Sequence, residues 1–325
     1  MSLNDLIFVS AQPDVPYFHW QTEIYIHNFI EKGINPNQIH VLFLITDGGK
    51  PTLESLELKK YNVNIHHYID ERMDKEYIPS LRPFMLSKWL KENPQFGKVY
   101  FYHDSDIIFR VLPDFESMIN DGVCYLSDTK SYIGYRYIND CGERYEEEHK
   151  VLSKGKLLSL MSGVVGIDVE VIKEKQEESG GAQYLLKNVD YKFWDKVYRN
   201  CQDLYRVMNH FQSSYPILHG IQMWTSDMWS VLWNLWLFGK ETEVTDKLSF
   251  SWATDNITRY DSKIILHMAG VTPDIKGEKF YKGDFITISP LDMLRDDNEH
   301  FDYIDSDSAS KKYVEVMLSV IKNDI

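Results

Sequence analysis

Strand-like and helix-like patterns alternate through the first hundred residues, and this restricts the fold more than any other feature of the chain. A β-like run from Leu6 to Ala11 precedes a helical pattern from Tyr17 to Lys32, in which Trp20, Ile24, Phe29 and Ile30 recur at spacings that share a face. Gly33 and Pro36 end that helix. An apolar strand follows from His40 to Thr46, closed by Asp47-Gly48-Gly49, then a short helical stretch from Leu53 to Lys60 and an alternating strand from Asn62 to Tyr68. Pro83 can open a further helix, with Met85, Leu86, Trp89 and Leu90 paired at one turn's spacing. The strand Lys98 to His103 then runs into Asp104. Strands separated by helices assemble into a mostly parallel sheet covered on both faces, so the predicted class is α/β. Sheets of this kind bind ligands beyond the carboxyl ends of their strands. That rule points to Ser10-Ala11-Gln12-Pro13 and to Asp104-Ser105-Asp106.

The second half is less regular. Lys130 to Lys156 reads as a polar loop whose Glu146, Glu147 and Glu148 are solvated. Ser162 to Val169 is predicted as a strand, Gln183 to Val207 as mostly helical, Gln222 to Phe238 as a Trp-rich helix and Lys263 to Gly270 as a strand. Past Pro290 the chain is acidic through Asp307, and an amphipathic helix spans Lys311 to Lys322. With no internal repeat and no linker, the expected organisation is one domain over residues 1–290, with residues 291–325 packed on it as an acidic segment and helix.

Composition limits the classes of function. A chain of 325 residues with 43% hydrophobic content can bury a substantial core. The net charge of −14 opposes general binding to nucleic acid or anionic membrane, while leaving room for a local basic pocket. Cys124, Cys141 and Cys201 form neither a CxxC pair nor an even disulfide framework, which points to reduced thiols. No apolar run is long enough to span a bilayer, and no basic-plus-apolar leader opens the sequence, so the expected compartment is cytoplasmic. Aromatic residues reach 14%, which suits sugar-stacking platforms, although any single ring is more often simply packed.

Three constellations can carry chemistry. In the first, Asp104 and Asp106 sit between the apolar runs Val99–His103 and Ile107–Phe109, where unpaired charge would be expensive to bury. Residues two apart on an extended chain face one side, so both carboxylates can reach one Mn²⁺ or Mg²⁺ ion, which can also grip a diphosphate. The plainer alternative is a solvated or backbone-capping turn. The second is His267, which ends the apolar run Ile264–Leu266 and is followed by Gly270, Lys279 and Lys282. An imidazole there can ligate Mn²⁺, the glycine permits close backbone approach and the lysines can meet phosphate; a hydrogen-bonded core histidine is the competing reading. The third is Trp224-Thr225-Ser226-Asp227-Met228-Trp229. Either Thr225 or Ser226 caps the helix and Asp227 serves its dipole, or Asp227 acts on an acceptor hydroxyl or the reacting sugar carbon. Trp229, Trp233 and Trp236 fit core spacings, and Trp224 is the ring expected to face a sugar.

The order of these motifs resembles the group of peptidyl-serine galactosyltransferases and hydroxyproline arabinosyltransferases from plants and algae. Tyr17-Phe18-His19-Trp20-Gln21-Thr22 is similar to their aromatic-Trp-Gln-Thr signature. Leu81-Arg82-Pro83-Phe84 and Lys88-Trp89-Leu90 resemble the segment before their acidic motif, where Asp104-Ser105-Asp106 stands, followed by Leu112-Pro113. Ser162-Gly163-Val164-Val165-Gly166 looks like their small-residue strand, Ser226-Asp227-Met228 like their Ser-Glu-Met with Asp for Glu, and His267 with Gly270 like their late His motif.

This resemblance, which covers roughly Leu6 to Phe285, implies a GT-A-like fold and a hexosyl- or pentosyltransferase that uses a nucleotide-sugar donor, a UDP-sugar first among them, with a glycan, peptide or other hydroxyl acceptor. On that reading Ser10, Gln12 and Tyr17 hold the nucleoside, and Arg82, Lys279 and Lys282 the diphosphate. Ser105, Gly163 and Gly270 flank the donor, while Asp104, Asp106 and His267 hold Mn²⁺ or Mg²⁺. Asp227 acts at the reacting centre and Trp224 meets the acceptor. A nucleotidyltransferase would also need paired acids, but the first strand lacks the Gly-rich basic loop such an enzyme uses for triphosphate. A carbohydrate-binding protein would need no diphosphate grip at all.

Overall fold

The computed structural model describes residues 2–46, 49–296 and 300–323. Asp47 and Gly48, expected to close the second strand, lie outside them, as do residues 297–299, 324 and 325 of the acidic segment and last helix. The chain divides into two compact units, and the residues after 290 belong to the unit that contains the first strand.

The first unit comprises Met1–Asp70, Phe101–Ile119 and Lys247–Ile325. Its strands β1 (Ile7–Pro13), β2 (Ile39–Ile45) and β3 (Asn64–Ile69) are parallel, with Phe8 beside Ile39 and His40 beside Asn64. Helix α1 (Pro16–Glu31) joins β1 to β2, and α2 (Leu53–Glu57) lies before β3. Pro16 starts α1 where a missing N–H costs nothing. A small second sheet, in the order β5-β10-β9, comprises β5 (Ile107–Phe109), β9 (Phe250–Trp252) and β10 (Ile265–His267). The unit also contains α10 (Ile257–Asp261), α11 (Pro290–Arg295) and α12 (Ala309–Asn323). On α12, Tyr313, Val314, Met317 and Val320 recur at helical spacing and are buried with Trp20 and Ile24 of α1 and with Phe280 and Phe285. Each apolar side chain buried this way contributes about 1.5–3 kcal/mol before entropic costs.

The second unit comprises Glu71–Tyr100 and Asn120–Asp246. It carries α3 (Leu81–Glu92), β6 (Cys124–Asp128), α4 (Lys130–Ile133), α5 (Tyr135–Glu148), α6 (Lys156–Val165), α7 (Val169–Glu174), β7 (Gly180–Lys187), α8 (Tyr191–Ser214), α9 (Ser226–Leu237) and β8 (Thr242–Val244). The division between the units falls within β4 (Val99–Tyr102). The larger sheet has seven strands in the order β3-β2-β1-β4-β7-β6-β8; β6 runs antiparallel to β7 and parallel to β8. A seven-stranded, mostly parallel sheet flanked by helices is the α/β class that the alternating pattern predicts.

Three local expectations are corrected in the second unit. The polar stretch after Lys130 is helical, because Ile138, Cys141, Gly142 and Tyr145 form a buried stripe at helical spacing on an otherwise polar helix. Ser162 to Val165 ends helix α6 and is no strand: Leu157, Leu158, Met161 and Val165 share its buried face, and Gly166, at φ +84°, closes it in the left-handed conformation. Gln183 to Lys187 belongs to strand β7, all of whose residues are buried, so the two-residue alternation that would mark it is missing.

Candidate metal centre

Strand β4 is fully buried, and the chain leaves it through Asp104, Ser105 and Asp106 directly into β5. β10 runs antiparallel to β5, with His267 opposite Ile107. The Met268 N–H donates to the Asp106 carbonyl at 2.9 Å, so this register carries the imidazole to the carboxylate pair. His267 Nε2 lies 3.3 Å from Asp106 Oδ1 and 3.6 Å from Asp104 Oδ2. One donor atom from each of the three residues falls within 4.8 Å of the others, the one such group among the described residues. Two carboxylate oxygens and an imidazole nitrogen suit a divalent ion such as Mn²⁺, so the donor set fits the metal the sequence implies. Trp252, opposite His267 in β9, stacks on its ring with centroids 5.3 Å apart, a packing partner the sequence did not reveal.

The other oxygen of Asp106 accepts a hydrogen bond from the Lys282 ammonium. Burial alone would raise the Asp106 carboxyl, but Lys282 and His267 overcome it and hold it well below the usual carboxylate range. Burial likewise pulls Lys282 down, and the charge of Asp106 outweighs it, so the ammonium titrates above its ordinary value. His103, just before the acids, is pushed down to about 4 by burial.

The turn that carries Lys282 is fixed from α1. The Trp20 indole N–H donates to the carbonyl of Phe285, at the end of the short 3-10 turn Lys282–Phe285, at 3.1 Å. Next to it, Gln21 Oε1 accepts from the Ser105 hydroxyl at 3.4 Å. The Trp-Gln segment therefore braces both the acidic turn and the lysine turn. Its similarity to an aromatic-Trp-Gln-Thr signature singled the segment out, but only the structure reveals these contacts.

A cleft of about 560 Å³ opens beside Lys282, and its lining includes Tyr17, Phe18, Gly270, Phe280 and Tyr281. Gly270 sits at φ +91°, a conformation that disfavours any side chain. Lys279 is not part of the lining. At the end of β1, Gln12 is 2% exposed, and neither atom of its side-chain amide has a hydrogen-bond partner among the described residues. Buried polar groups are ordinarily satisfied, so this amide has unused capacity to bind. Ser10, placed with Gln12 by the sequence, is fully buried and paired with the Tyr25 hydroxyl at 2.7 Å.

The turn between β1 and α1 is held by Asp14. Its carboxylate accepts from His19 Nε2 at 2.7 Å, from the Thr52 hydroxyl at 2.6 Å, from the Thr52 N–H at 3.0 Å and from the Ser55 hydroxyl at 3.2 Å. Burial opposes the charge, but these donors prevail and lower the carboxyl to about 2. Tyr17 and Phe18 reach the cleft from this braced turn.

Asp227 lies in the second unit, in the first turn of α9, and is buried. Tyr77 donates to its Oδ1 at 2.7 Å and Arg82 to its Oδ2 at 3.1 Å, so the arginine expected to meet diphosphate carries Asp227 here. Neither hydroxyl caps the helix, which was one of the two alternatives for this segment: Thr225 donates to the Gln222 carbonyl at 2.8 Å and Ser226 to the Met223 carbonyl at 2.5 Å. Trp224 is 65% exposed, whereas Trp229, Trp233 and Trp236 are buried. Gly163 is exposed on α6.

Fold and centre together define an α/β protein with an Asp-Asp-His group at the carboxyl end of a buried strand. No family model matches the chain. No curated protein matches it. Among solved structures it is similar to WbbM, a bifunctional glycosyltransferase in its apo form, with 11% identity and a TM-score of 0.44 over 90% of this chain and 51% of that one. The chain thus spans about half the length of that neighbour. Among the described residues, no helix is long and apolar enough to cross a membrane.

Proposed function

We propose that this chain is a metal-dependent glycosyltransferase that moves a hexosyl or pentosyl group from a nucleoside diphosphate sugar to an acceptor hydroxyl. The observation that carries the reading is the meeting of Asp104, Asp106 and His267 beside Lys282 and an aromatic cleft at the strand ends. The motif order described above, which resembles peptidyl-serine and hydroxyproline glycosyltransferases, supports it. Asp104, Asp106 and His267 would hold Mn²⁺ or Mg²⁺, which when bound neutralises charge on a departing diphosphate. Lys282 adds a second positive charge in a partly desolvated setting, where such charges count for more than in water. Tyr17 and the unpaired Gln12 amide are the proposed nucleoside contacts, and Gly270 lets the backbone approach the phosphates. Asp227 is the proposed acid of the reacting centre and Trp224 the proposed acceptor contact. The nucleoside of the donor is taken as uridine, and the transferred sugar as a hexose or a pentose.

Calorimetry of uridine diphosphate with and without Mn²⁺ tests the centre. Asp104→Asn and Asp106→Asn should each abolish the metal-dependent part of nucleotide binding, and His267→Ala should weaken it at least about tenfold, with the fold retained by circular dichroism. Undiminished metal-linked affinity in either aspartate variant refutes the assignment. Binding of free glycans with no metal-dependent nucleotide binding would favour a carbohydrate-binding protein instead.

A further inference from the structure

We infer that Lys282 is an exchangeable counterion, which holds Asp106 before the ligands arrive and passes to the nucleotide diphosphate as a divalent cation takes Asp106. The inference rests on the metal-dependent reading above and concerns how that centre is regulated.

Asp106 has two carboxylate oxygens, and both are engaged: Oδ1 faces His267 and Oδ2 accepts from Lys282. The pair is largely buried, with side-chain exposures of 10% for Asp106 and 16% for Lys282. A divalent cation that enters among Asp104, Asp106 and His267 meets an ammonium already on one of its ligands. The two cations repel strongly where water is scarce. Moving the ammonium off Asp106 with nothing to receive it leaves a desolvated, unpaired charge, which is also costly. A diphosphate removes both obstacles, because its oxygens accept the ammonium and share the metal.

The geometry favours motion of the side chain alone. Lys282 touches Asp106 and also lines the open cleft, so rotation about its own flexible stem carries the ammonium from one to the other. The backbone that bears it is tied down by Trp20 on the Phe285 carbonyl and by the Phe280 N–H on the Ser310 hydroxyl at 3.1 Å. The lysine thus couples two ligands through one exchange of partners. Linkage requires that each ligand raise the affinity of the other by the same factor.

Calorimetry on the intact chain tests the exchange, with Mn²⁺ alone, uridine diphosphate alone and each in the presence of the other. In the wild type, nucleotide should tighten Mn²⁺ binding by roughly tenfold or more, and Mn²⁺ should tighten nucleotide equally. Lys282→Met removes the competitor, so Mn²⁺ alone should bind roughly tenfold tighter while the mutual enhancement shrinks to the part that comes from the diphosphate sharing the metal. Lys282→Gln, which keeps a hydrogen-bond donor for Asp106, should change in the same direction and serves if the methionine variant folds poorly. Equal or weaker binding of Mn²⁺ alone in both variants, or an undiminished enhancement, overturns the exchange. Asp106→Asn separates the two layers of argument. If it abolishes Mn²⁺ binding while the Lys282 variants show no gain, only the exchange fails; if it leaves Mn²⁺ binding intact, the metal centre itself is wrong.

Discussion

Asp14→Asn removes the charge that organises the turn between the first strand and the first helix, and its cost can be worked from the structure. The carboxylate, with 1% of its side chain exposed, accepts four hydrogen bonds, from His19, Thr52 and Ser55. Its pKa falls from an ordinary 3.8 to about 2. At about 1.4 kcal/mol per pH unit, ionised Asp14 stabilises the fold by about 2 kcal/mol at neutral pH. Because the folded value is the depressed one, this stability is fully present above pH 3.8 and is lost as pH falls through about 2. At pH 3 roughly 1 kcal/mol should remain. The variant also turns an amide N–H₂ towards groups that donate, which adds to the loss at neutral pH. Urea denaturation followed by tryptophan emission, at pH 7 and pH 3, measures the difference from wild type. The gap should be about 2 kcal/mol or more at pH 7 and about half as large at pH 3. Since Tyr17 and Phe18 line the cleft from this turn, nucleotide affinity should fall as well. A gap under about 0.5 kcal/mol at pH 7, or one that does not change with pH, refutes the reasoning.

His40 and His66 lie 3.0 Å apart, nitrogen to nitrogen, and burial, with mutual repulsion for His40, pushes them down to about 3 and about 4. The unfolded chain takes up protons first, so stability should decline as pH falls from 6.5 towards 4, and His40→Gln should flatten that part of the urea-midpoint profile. Asp227→Asn should leave nucleotide affinity nearly unchanged and lower turnover roughly a hundredfold if this acid serves the reacting centre. Near-normal turnover per folded molecule, with a lowered melting temperature, would instead make its bonds to Tyr77 and Arg82 purely structural.

Much of the first hundred residues could be read locally. The strands from Ile7 to Tyr102 follow mostly from short apolar runs and the helices between them from helical spacing, and the apolar run of β4 marks its two following acids as costly to bury without a partner. His267 stood out for the same reason, at the end of the apolar strand β10. Residues 120–246 were harder, because burial there does not follow composition: α5 hides a narrow apolar stripe under a polar surface, and β7 buries Gln183 and Lys187 and so shows neither alternation nor an unbroken apolar run. The sequence by itself determined the α/β class and the side chains able to bind a cation. Only the tertiary structure decided that His267 sits beside Asp106, that Lys282 holds that same carboxylate, that Trp20 pins the lysine turn and that Arg82 belongs to Asp227. Patterns along a chain report which face of an element is buried, whereas the partner of a charge is set by strand register and packing between segments far apart in sequence.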